Sequence, residues 1–114
     1  MSKSLWICSL ALACAGQAAA QNYPNRPIKV VVSTAGGSGD ISIRLIAPSV
    51  SSGLGQQVIV ENRSTSVVGD VVAKAPPDGY TLLMDATSLW IGPLLQDMPY
   101  KIEEFAAVST TDRA

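Results

Sequence analysis

The sequence predicts an α/β fold built on a mostly parallel sheet, and three observations carry that prediction. The run Ile28 to Val32 is apolar at four of its five positions and rich in β-branched residues, the pattern of a strand covered on both faces. Roughly 25 residues separate it from a second β-branched run, Gln57 to Glu61, which is room for a helical crossover between parallel strands. A third run, Tyr80 to Met84, follows another helical pattern, and Gly or Pro marks the junctions.

Taken in order, Gln21 to Arg26 is a polar leader containing Pro24, and Pro27 keeps the chain from entering the first strand early. After that strand comes a glycine turn, Ala35-Gly36-Gly37-Ser38-Gly39-Asp40. From Asp40 the apolar positions Ile41, Leu45 and Ile46 take helical spacing, and Gly53 and Gly55 close the segment. Pro48 lies inside this helix and is expected to kink or divide it. A polar loop from Ser64 to Ser66 leads to a short helix, Val67 to Ala75, with Val68, Val71 and Val72 on one side and Pro76 and Pro77 at its end. Asp78-Gly79 is a turn before the third strand. Thr87 and Ser88 then precede the apolar stretch Leu89 to Leu95, which Pro93 interrupts, and Phe105 to Ser109 is expected to form a fourth strand.

The first twenty residues form an export signal: a single cation, Lys3, an apolar stretch from Leu5, and small residues Ala18, Ala19 and Ala20 before a cleavage site ahead of Gln21. The apolar stretch is short against the roughly 20 residues needed to cross a bilayer. Residues 21–114 are the mature domain on this reading, and Cys8 and Cys14 both leave with the signal. Disulfides and thiolate metal sites are then excluded, and the chain has no histidine for general-base or zinc chemistry. The mature part holds seven cations against nine acids, a net charge of −2, which favours neither nucleic acid nor an anionic membrane surface.

The glycine turn is a candidate anion site. Amides of Gly36 to Gly39 would act as donors, Ser38 would add a hydroxyl, and Asp40 would cap the helix through its side-chain oxygen. A plain strand-to-helix turn explains the same glycines equally well. Gly37 and Gly39 also begin a dinucleotide fingerprint with Glu61 in the place of a ribose-binding acid, but Ser42 stands where the third glycine belongs. Arg63 in the Glu61-Asn62-Arg63 segment could pair with a ligand carboxylate, although a structural ion pair or loop anchor is the preferred reading. Thr87 and Ser88 follow the third strand on the same side, where an ST-turn opening the next helix is the alternative. Asp85 shares that side, and an acid there repels an anion.

In order along the chain, YPNRPIKVVV, AGGSGDISIRLIA, LGQQVIVENR, VAKAPPDGYTLL and MPYKIEEFAAVS closely resemble the Bug-type receptors of tripartite tricarboxylate transporters over nearly all of residues 23–109. LGQQVIVENR followed by PDGYTLL is the most specific part of the match. The resemblance implies a type II periplasmic-binding-protein lobe and a periplasmic location, with small carboxylated solutes captured for membrane permease subunits. It implies no enzymatic activity, no cofactor, no nucleic-acid partner and a monomeric complete form. The family's first ligand loop falls on Thr34, Ala35, Gly36, Gly37, Ser38, Gly39 and Asp40, and a second on Thr87 and Ser88. Two departures touch that side: STAGG stands where PFAPGG is usual, and STSVVG stands where a PGAGG segment follows ENR. Related receptors are much longer and two-lobed, so residues 21–114 are expected to be a truncated first lobe with the second lobe absent. Such a lobe is expected to leave apolar surface exposed, and a product without independent function is the rival expectation.

Overall fold

The computed structural model describes residues 22–85 and 87–111; the export-signal expectation falls on residues outside these. Three strands, β1 (Ile28–Val32), β2 (Val58–Asn62) and β3 (Thr81–Met84), form one parallel sheet in the order β2-β1-β3. The helices α1 (Ser38–Leu54), α2 (Thr65–Ala73) and α3 (Thr87–Leu95) alternate with them, and a 3₁₀ turn covers Ile102–Glu104. The α/β expectation holds.

The most apolar run occupies the centre of the sheet. Val30 lies opposite Val60 on one side and Leu82 on the other, so β1 is hydrogen-bonded along both edges. Ile28, Val30, Val31 and Val32 are buried and form the core with Ala47 of α1, Val68 of α2 and Tyr100. Lys29 is the one β1 residue that reaches solvent, where its ammonium pairs with Glu61 at 2.9 Å. The ladder continues past the strand ends, because the Ile28 amide donates to Gln57 O and the Arg63 amide donates to Val32 O, each at 2.9 Å.

The first helix begins at Ser38 and is continuous through Pro48. Pro48 lies on the exposed side of the helix, and the helix is not divided there. Gly55, at φ 68°, ends it in the left-handed region. The expected fourth strand at Phe105 to Ser109 is absent: residues 105–110 have no regular structure. A strand exists only by pairing, and among the described residues no neighbour pairs with this segment. Phe105 instead meets Tyr100 edge-on, with ring centroids 5.6 Å apart.

The polar leader is tied down at the opposite end of the sheet from the helix starts. Tyr23 Oη donates to Gly79 O at 2.7 Å, Tyr80 Oη donates to Asn25 Oδ1 at 2.9 Å, and Arg26 pairs with Asp78 at 2.7 Å while lying over the Tyr80 ring.

Candidate functional site

Because all three strands run in parallel, each is followed by a helix that starts at the same edge of the sheet. Helix starts carry amides without helical partners and a partial positive charge, so this edge is where a negative group is most easily held. The residues singled out in the sequence, Thr34 to Asp40 and Thr87 with Ser88, all lie there.

The glycine turn is partly closed from within. Gly36 takes a positive φ of 75° and its amide donates to Asp40 Oδ2 at 2.9 Å, while the Gly37 amide donates to Thr34 O at 3.2 Å. These two amides are therefore used by the turn itself, against the expectation that they face a ligand. The N-cap is Gly37, and no side chain caps the helix; Asp40 sits in the first turn and reaches back to the loop. This corrects the expected role of Asp40 as the helix cap. The first helical bond runs from the Ile41 amide to Gly37 O, so the amides of Ser38, Gly39 and Asp40 precede the helical ladder. Ser38 is exposed, and Gly39 lies over the ends of β1 and β3, close to Val32 and Met84.

Asp40 is buried at 6% exposure, and its charge is met on several sides. Besides Gly36, its carboxylate accepts from Asn62 Nδ2 at 3.0 Å and Arg44 Nε at 2.9 Å, and Arg44 also donates to Asn62 Oδ1. The Gly36 amide above all, then Asn62 and Arg44, hold its carboxyl below the ordinary 3.8 despite the opposing effect of burial. Asp40 is thus an anchor that fixes the turn. Asn62 was not singled out in the sequence as its partner, although its place at the end of β2 beside the first helix start was a usable signal.

Arg63 pairs with Glu61, which also holds Lys29, so the ion-pair reading of Glu61-Asn62-Arg63 is the one the structure shows. Lys29 first, then Arg63, lowers the Glu61 carboxyl from its ordinary 4.5, against its partial burial. An acid so committed is not placed as a ribose ligand.

At the other side of the edge, Asp85 Oδ1 accepts from Ser88 Oγ at 2.6 Å and from Ser33 Oγ at 3.3 Å. Ser33 was not among the residues singled out, yet it links the first loop to the start of α3. Thr87 and Ser88 line a cavity of about 450 Å³, together with Thr65, Ser66, Ile91 and Leu95. The residues Thr34 to Asp40 do not line it; the two loops meet through Asp85. Among the described residues no cluster of side chains is suited to a metal ion, and no helix is long and apolar enough to cross a membrane.

Comparison with known proteins gives this edge its context. The family model described as tripartite tricarboxylate transporter family receptor matches residues 42–114. Protein BugT of Bordetella pertussis is 40% identical over 91% of this chain and 35% of its own length. A UPF0065 protein of Agrobacterium vitis is 42% identical over 79% of this chain and 28% of its own. A solved structure described as a periplasmic transporter superposes with a TM-score of 0.62 at 36% identity, covering 68% of this chain and 28% of that one. The structure of R. palustris Rpa4515 with adipate superposes with a TM-score of 0.53 at 37% identity, covering 59% of this chain and 24% of that one. The chain spans about a third of the length of the first of these curated relatives. Its sequence match and its parallel sheet agree: the chain belongs to the receptor family of tripartite tricarboxylate transporters, a family of periplasmic binding receptors and not of enzymes.

Proposed function

We propose that this chain supplies the solute-capturing edge of a periplasmic receptor that binds a small organic anion, a carboxylate, for the membrane permease subunits of a tripartite transporter. The observation that carries the reading is the convergence of three helix starts on one sheet edge in a chain of this receptor family. Amides of Ser38 and Gly39 are the groups that receive the carboxylate, Thr87 and Ser88 close one side of the edge, and Thr34, Ala35, Gly36, Gly37 and Asp40 hold the loop in shape. That a structural neighbour was solved with adipate supports a carboxylic acid as the solute class. Residues 1–20 act as a cleaved export signal, and residues 21–114 belong to the first of two lobes.

Thermal shift and calorimetry against a panel of carboxylic acids test the solute. Stabilisation by at least one acid, lost in Ser88→Ala combined with Thr87→Val, is expected; indifference to every acid refutes the proposal. N-terminal sequencing of exported protein should begin at Gln21.

A further inference from the structure

Asp40 stands in the first turn of α1, directly after Ser38 and Gly39. A carboxylate there favours the helix but opposes any second anion brought to the same amides. The turn nevertheless needs it, because its Oδ2 accepts from the Gly36 amide at 2.9 Å. Arg44 answers the charge one helical turn on. Its Nε donates to Asp40 Oδ1 and its Nη2 to Asn62 Oδ1, each at 2.9 Å, and the two bonds fix the guanidinium against the carboxylate. The Arg44 side chain is 52% exposed, and an ion pair so open to water adds little to stability. What the pair changes is the field at the helix start.

Asp40 alone would present a full negative charge to an incoming anion; with Arg44 it presents a dipole, whose effect falls off faster with distance. Glu61, the acid nearest in the following strand, is already met by Lys29 and Arg63. Building on the receptor reading above, we propose that Arg44 is a positioning residue that cancels Asp40, so that the amides of Ser38 and Gly39 can take a carboxylate while Asp40 keeps the turn in shape. It does not touch the solute.

Charge and structure are separated by Arg44→Gln, Asp40→Asn and the double variant. Arg44→Gln keeps a donor for Asp40, and Asp40→Asn keeps an acceptor for Gly36, each without the charge. In calorimetric titration with adipate, Asp40→Asn should bind most tightly, the native chain and the double variant should bind alike, and Arg44→Gln should bind most weakly, with about tenfold between steps. A purely structural network gives weaker binding in Asp40→Asn and no recovery in the double variant. Exchange of the Ser38 and Gly39 amide protons with water, followed by NMR, repeats the test without a solute. Hydroxide, itself an anion, removes these protons, so their rates should rise in Asp40→Asn, fall in Arg44→Gln and return to native values in the double variant. Arg44→Lys keeps the charge and should match the native chain in both measurements, a comparison that holds even if Asp40→Asn does not fold. Exchange rates indifferent to the charge at Arg44, or a double variant that does not recover, overturn the compensation whatever adipate does. Rates in the stated order, with adipate bound by none of these proteins, uphold the compensation and refute adipate capture at this edge.

Discussion

A β-carbon added at Gly69 would lie 2.4 Å from Cε1 of Tyr100 and 2.8 Å from its Cζ, inside any permitted contact. The ring is buried against α2 and cannot step aside without disturbing the core around Val68. Gly69→Ala should therefore destabilise the chain by about 1–3 kcal/mol through overpacking. Gly53, by contrast, has open space where a β-carbon would stand and lies within α1, so Gly53→Ala should stabilise by about 0.5–1 kcal/mol. Urea denaturation of the two variants checks both signs.

Asp40 and Glu61 make a residue-scale prediction about acid. Each has a folded-state pKa below its ordinary value, 3.8 for Asp40 and 4.5 for Glu61, so the folded chain holds fewer protons than the unfolded chain within that range. Their contribution is complete above about pH 4.5 and is lost as pH falls through the lowered values. The melting temperature should drop through this window in the native chain and drop less in the Asp40→Asn, Glu61→Gln double variant. Equal slopes for the two proteins contradict the assignment.

At the scale of elements, the end of α1 depends on one backbone angle. Gly55 takes φ 68° with open space around it, so a side chain there meets strain from the backbone and none from neighbours. Gly55→Ala should cost about 1 kcal/mol, while Gly55→Asn, which tolerates the left-handed region, should cost less. Differential scanning calorimetry of the pair separates backbone strain from lost packing. The following strand is held to this helix end by Ser51 Oγ, which accepts from the Val58 amide at 2.9 Å, so a shifted helix terminus also shifts the entry into β2.

At the scale of the molecule, α3 is attached to the sheet without burying any residue. Leu94 is 83% exposed, Leu95 79% and Trp90 58%, an apolar surface of the kind that soluble chains rarely leave open. Leu94→Lys should lower concentration-dependent association in sedimentation velocity without lowering the melting temperature, because the native side chain contributes little to the core. A fall in stability of more than about 1 kcal/mol would show instead that Leu94 packs in solution.

The order of strands and helices, the parallel sheet and the place of the glycine turn were all legible in the sequence. They depend on local chemistry: β-branched runs prefer extended backbone, glycine admits the left-handed turn at Gly36, and crossovers of that length join parallel strands. Tertiary structure alone decided that β1 is central, that Asp40 claims Asn62, that Ser33 and Ser88 share Asp85, and that Phe105 to Ser109 joins no strand of the sheet among the described residues. The reason is distance along the chain. Asn62 lies 22 residues from Asp40, and Asp85 lies 52 from Ser33. A donor's choice among such acceptors is settled only when the sheet brings them within about 3 Å, and no periodicity in the sequence records it.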